Sequence, residues 1–212
     1  MGNRLGTFWM WGLASLLTLL ACGRHRDEIR QLDAALTRLD SCQAVLDSLP
    51  LDSIQATRDW AGSQWNDFSL FANDSLMELS REEGMVIAEV GRVRRLLKDF
   101  PSRSKSLSEA IALSRTQITG LRTALEEGAT QDRNGQPMHA EYIAAQVSTE
   151  LGFVDRIATS CRETQLYSAQ AMAARDSLMP IVDSTGQVLR ARLAQRLISE
   201  SLQSSMSTYP PR

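Results

Sequence analysis

The chain has 212 residues, with 23 basic and 25 acidic side chains and a formal charge of −2. That near-neutrality argues against nucleic acid as a partner, since its binders carry a basic surface, and the length suits one modest domain. Aromatic residues make up only 6 % and the apolar residues recur at spacings of three and four, so the expected class is all-α.

Residues 1–21 read as a signal peptide. Arg4 is their only charged side chain, and Thr7 to Ala21 are apolar or small. A short positive region before about ten to fifteen apolar residues is the pattern of a secretory signal, and the run is short for a membrane span of roughly twenty. It closes on Leu19-Leu20-Ala21-Cys22, which resembles the lipobox of bacterial lipoproteins. The resemblance implies cleavage before Cys22 and a thioether to diacylglycerol on its sulfur, with further acyl groups such as palmitate. Two or three acyl chains anchor a protein stably where one does not. The expected layout is therefore a signal peptide over 1–21, a helical bundle over 22–205 and a flexible tail over 206–212. Removing Cys22 leaves Cys42 and Cys161, an even pair that an oxidising compartment could join in a disulfide. Two separate buried thiols are the equal alternative.

In the first mature segment Ile29, Leu32, Leu36, Leu39, Gln43 and Leu46 form a heptad seam with one polar member, and Pro50 ends or kinks that helix. Asp52 or Ser53 is placed to cap the next helix, with a stripe of Ala61, Trp65, Phe68, Ala72, Leu76 and Leu79. From Val86 the heptad continues through Val90, Val93, Leu97, Phe100, Ser104, Leu107, Ile111, Ser114, Ile118, Leu121 and Leu125, with a kink or break expected at Pro101. GATQDRNGQP, residues 128–137, is the strongest turn signal. A long polar helix follows from about His139 to Ser177 with Ile143, Val147, Leu151, Val154, Ala158 and Cys161 inward. Pro180 and Gly186 are expected to interrupt it before a last segment carrying Leu189, Leu193 and Leu197. Two long amphipathic runs around one turn predict an antiparallel coiled-coil hairpin, with the first segment alongside as an elongated helical bundle.

Chemistry-bearing motifs are scarce. His25 and His139 have no Cys or carboxylate at ligand spacing, so no metal or cofactor is expected. No HExxH, CxxC, phosphate loop or GxSxG occurs, and the expectation is that the chain is not an enzyme. Two features could meet a partner: the aromatic run with Trp60 and Trp65, and the basic cluster Arg92, Arg94, Arg95 and Lys98. Core packing and a solvated helix face are the competing readings, and the favoured ones. Asp-Ser followed by an apolar residue or Thr occurs five times, at Ser48, Ser53, Ser75, Ser177 and Ser184. These sites are similar to the O-glycan acceptor motif of exported Bacteroidota proteins, and helix capping by Asp-Ser is the alternative.

The lipobox, the DSLPLDSI connection and the run Phe100, Pro101, Leu107, Ser114, Gln117, Leu121, Leu125 and Gly128, with a turn and long helix after it, resemble uncharacterised helical lipoproteins common in Bacteroidota. The resemblance implies a coiled-coil lipoprotein of the cell envelope, held in the outer membrane with a periplasmic or surface-facing bundle, and no known activity. The expected role is a lipid-anchored spacer, scaffold or accessory subunit with a protein partner in the envelope. The alternative is a module that binds a ligand or peptide through the Trp60–Phe71 cluster. The heptads also permit self-association.

Overall fold

The computed structural model describes residues 25–74 and 77–207. The expected signal peptide, Cys22, Ser75 and residues 208–212 lie outside that range. Among the described residues the fold is an all-α helical bundle of five helices: α1 (Arg26–Asp47), α2 (Leu51–Ala72), α3 (Arg81–Leu97), α4 (Phe100–Glu126) and α5 (Ala140–Ser207). No helix among them is long and apolar enough to cross a membrane.

The chain divides into two compact units. Residues up to Ser48 with Arg103–Glu163 form one, and Leu49–Ser102 with Thr164–Arg212 the other. Both draw on α5, whose inward stripe steps by four and three through Ile143, Val147, Glu150, Val154, Ile157, Cys161, Thr164, Ser168 and Ala171, all buried. The same steps reach Val182 and Leu189, also buried. Such a register keeps one face of a helix inward, here as far as Leu189.

In the first unit α1 buries Leu32, Ala35, Leu39, Cys42 and Leu46, and α4 buries Leu107, Ile111, Ser114, Ile118 and Leu125. Ion pairs link the helices across this core. Arg115 meets Asp40, Arg122 meets Asp33, and Arg38 meets Asp155. All are partly exposed, so they align the helices more than they stabilise them.

In the second unit Phe68 and Phe71 of α2, Ile87 and Val90 of α3 and Val182 and Leu189 of α5 form one apolar cluster. Ser80 starts α3 with a reciprocal capping box: its hydroxyl accepts from the Glu83 N–H, and the Glu83 carboxylate accepts from the Ser80 N–H. Arg192 of α5 donates two hydrogen bonds to the same carboxylate, at 2.9 and 3.2 Å, and a third to the Glu78 carbonyl. These bonds, Arg192's first, hold the Glu83 carboxyl below its ordinary range.

Three local expectations are corrected. The stripe expected to run on to Leu79 does not prolong α2, which ends at Ala72, and Leu76 lies outside the described residues. Neither Asp52 nor Ser53 caps α2: Pro50 stands at its N-cap with no side-chain bond, and Asp52 lies in its first turn. Nor do Pro180 and Gly186 interrupt α5, which runs unbroken to Ser207 with Pro180 inside it. Pro180 sits off the inward stripe on an exposed face, where water can satisfy the carbonyl that its missing N–H leaves unpaired. Buried Val182 and Leu189 hold the register beyond it. Pro101, by contrast, does mark a break. It falls in the first turn of α4, where an N–H has no intrahelical partner to lose.

Candidate functional site

The predicted site residues fall in separate places. Trp60 and Trp65 pack half-buried against the apolar cluster of the second unit, beside buried Phe68 and Phe71. A Cβ on Gly91 would lie 2.6 Å from the Trp65 ring, so this glycine permits the close approach. Arg94 lies over the same ring at 5.7 Å from its centroid, and Arg92 pairs with Glu89 on its own helix. The aromatic run thus serves the core, as the favoured reading had it. Arg92, Arg94 and Arg95 are exposed along α3.

Cys42 of α1 and Cys161 of α5 come together in the first unit. Both are buried thiols, and they line one groove between α1 and α5. Burial first, then the neighbouring Cys42, pushes the Cys161 thiol up to about 12. A thiol so protonated is a poor nucleophile.

Ser48, Ser53, Ser177 and Ser184 are all exposed. Ser48 forms the C-cap of α1, so helix-end chemistry accounts for it, and Ser53 lies in the first turn of α2 without capping it. Ser177 and Ser184 lie inside α5, where their hydroxyls donate to the carbonyls of Ala174 and Ile181, and capping does not account for them.

One concave polar place is one that the motifs did not mark. After α4 the chain turns at Gly128 (φ 66°), with the Ala129 N–H bonded to the Ala124 carbonyl and the Gly128 N–H to that of Leu125. This is the Schellman closure that glycine favours. The turn then folds on Asp132. One carboxylate oxygen accepts from the N–H groups of Asn134 and Gln136, both at 2.8 Å, and the other from the Tyr142 hydroxyl at 2.6 Å. Those bonds, Tyr142's first, hold the Asp132 carboxyl below its ordinary value and raise the Tyr142 hydroxyl. Gly135 (φ 78°) completes the loop, and the His139 ring accepts from the Tyr142 N–H at the start of α5.

Beneath this turn lies a cavity of about 440 Å³, walled by α4, the turn and α5 and lined among others by Gln117, Arg133, Met138, Tyr142, Gln146 and Glu150. All of it belongs to the first unit. Glu150 is only 8 % exposed, and its Oε2 is sealed from solvent with no hydrogen-bond partner among the described residues. Burial raises its carboxyl above the ordinary value, because desolvation penalises the charged form.

Sequence reasoning missed Glu150 because the inward stripe of α5 was placed on Leu151, one residue along. The signal was present. Glu150 stands seven residues after Ile143 and seven before Ile157, a charged residue in a core register. No group of three His, Cys, Asp or Glu able to hold a metal ion occurs among the described residues. Comparisons with protein-family models, curated proteins and solved structures find no match to this chain.

Proposed function

We propose that the protein is a lipid-anchored helical bundle of the cell envelope, acting without catalysis as a spacer, scaffold or accessory subunit. The observation that carries this reading is the lipobox cysteine placed directly before a folded helix. Only Gly23, Arg24 and His25 separate Cys22 from α1. Four peptide steps span at most about 14 Å, so a lipid on Cys22 would hold the first turn of α1 close to the membrane surface.

Two features of the bundle agree with a role in assembly. Many of its charged residues are committed to joining helices, as in Arg38–Asp155, Arg115–Asp40 and Arg192–Glu83. In the second unit α5 also leaves Ile181, Val188, Leu197, Ile198 and Leu202 largely exposed. Exposed apolar side chains in this number suit a protein partner.

The test is fractionation of the full chain expressed in an envelope-bearing bacterial host. Wild type is expected in the membrane pellet after a high-salt wash, and Cys22→Ser in the soluble fraction or as uncleaved precursor. A Cys22→Ser protein that is processed and pelleted like wild type would sink the reading.

A further inference from the structure

We propose that the outward face of α5 between Leu166 and Ile198 pairs with the same face of a second copy of this chain, as a two-helix coiled-coil seam. The proposal rests on the assembly reading of the bundle, whose partner it names, and is independent of a lipid at Cys22.

Two heptad registers run along this part of α5, all of it in the second unit. The first buries Val182 and Leu189 in the apolar cluster. The second steps by three and four through Ile181, Ser184, Val188, Ala191, Gln195 and Ile198, every one exposed. Its large members stand well out, with Ile181 48 %, Val188 51 % and Ile198 60 % exposed. The same face continues toward the N-terminus through exposed Ser177, Ala173, Gln170 and Leu166. One stripe is enough to seat a helix on its own core, so a second at coiled-coil spacing is fitted to another helix.

Charge decides which helix. Charged residues make up 23 % of the chain and ordinarily gather on exposed helix faces, yet none of these positions carries one. Among the positions that flank the seam, Thr185, Gln187, Ala194, Ser199 and Ser201 are uncharged as well. Arg192, the charged one, is turned to Glu83 and the Glu78 carbonyl. An anionic lipid surface would want Lys or Arg here, and a charged protein partner would want the opposite sign. A neutral face fits a neutral face, and a second copy brings one of identical length and spacing, as a two-fold interface requires. Gln195 then supplies the single polar core member that fixes register in such seams. From Leu166 to Ile198 the face is about 50 Å long, and at about 10 Å wide two copies would bury roughly 1,000 Å², the lower bound of a specific interface. The pairing is accordingly reversible.

The test is crosslinking of the full chain in whole cells with a short bismaleimide. Ala191→Cys places a thiol on the seam, and Ser108→Cys, exposed on α4, is the comparison. Ala191→Cys should give a product of twice the chain's mass, in clear excess over Ser108→Cys. Adding Val188→Glu, or Val188→Lys, sets like charges face to face across the seam, and the yield should fall about tenfold or more. Val188 is exposed, so the fold should tolerate both charges, and circular dichroism confirms it. Co-expressing the Glu and Lys variants should restore the product, since opposite charges then meet. Equal yields from the two cysteine positions, no loss with either charge, or no recovery on mixing would overturn the proposal. A product of any other mass would also overturn it, giving the face to a different protein while leaving the assembly role intact. Whole cells report on this face wherever the chain resides, so failure of the Cys22 anchor in fractionation and failure of the pairing are separate results.

Discussion

Glu150 sets a free-energy penalty in the core that pH should reveal. Its carboxyl is raised by burial above the ordinary 4.5, so the folded protein holds this proton more tightly than the unfolded chain does. Folding takes up protons in that window, and stability falls as pH rises. The contribution is fully present below about pH 4.5 and is lost as pH climbs through the raised value. Asp132 and Glu83 have the opposite sign, being lowered by their hydrogen bonds, so the wild-type profile mixes the two. Comparison with Glu150→Gln isolates the one residue. The variant should match wild type near pH 4 and exceed it at pH 7 by about 1–2 kcal/mol, the scale of an unsatisfied buried group. Urea denaturation at the two pH values measures this, and a variant weaker than wild type at both would show that the carboxylate has a partner in the fold.

At the scale of the helix, α5 tests how far tertiary packing overrides local preference. An interior proline costs roughly 3 kcal/mol through its missing hydrogen bond and its clash with the preceding turn, yet α5 continues through Pro180. Pro180→Ala should therefore stabilise the protein by about 1–3 kcal/mol, read as a higher denaturation midpoint at unchanged slope. Destabilisation would mean that Val182 and Leu189 need a bend there to reach the core. The same helix shows what the sequence could and could not disclose. Heptad spacing was enough for α4, whose seam at Leu107, Ile111, Ser114 and Ile118 lies buried as read, but only partly for α1, where Leu32, Leu39 and Leu46 are buried as read while Ala35 and Cys42 are buried in place of Leu36 and Gln43. It failed where a polar residue occupies a core register, because Glu150 looked like surface and Leu151 like core. It also failed at Pro180, where the local penalty was visible but the buried contacts on either side were not. Pairing of Cys42 with Cys161 depended on tertiary placement, and no spacing rule could supply it. Since both thiols are buried and line one groove of the first unit, oxidised glutathione should convert them to a disulfide. The thiols give up two electrons and two protons, which reduce the glutathione disulfide to two glutathiones, and the chain loses about 2 Da. Reaction should be slow, because Cys161 is protonated up to about 12. A bond closing so long a loop could add up to about 4–5 kcal/mol in the chain-entropy account. Intact mass and denaturation with and without oxidant read both effects, and Cys42→Ala should abolish them.

For the molecule as a whole, position at a membrane matters more than any one side chain. The proposal of an exported, lipid-held chain rests on the composition of the first 21 residues and the cysteine after them, whereas the bundle itself contributes amphipathic helices and no span among its described residues. On that proposal the lipid on Cys22 supplies the hold on the bilayer. Two or three acyl chains suffice for that, since each buried CH₂ contributes about 0.8 kcal/mol. The native protein extracted with detergent should then have the mass of Cys22–Arg212 plus diacylglycerol and acyl groups. Treatment that cleaves ester-linked acyl chains should lower that mass by fatty-acid units and release the bundle from vesicles. Any further excess in sugar units would assign glycans to the Asp-Ser sites, and Ser177→Ala with Ser184→Ala would locate those on α5, where capping gives Asp-Ser no structural reason to recur. A mass counted from Met1 with no additions would remove the anchor, and the envelope role would fall with it. The helical bundle, the paired cysteines and the cavity at Glu150 would still stand, because each rests on packing within the folded chain.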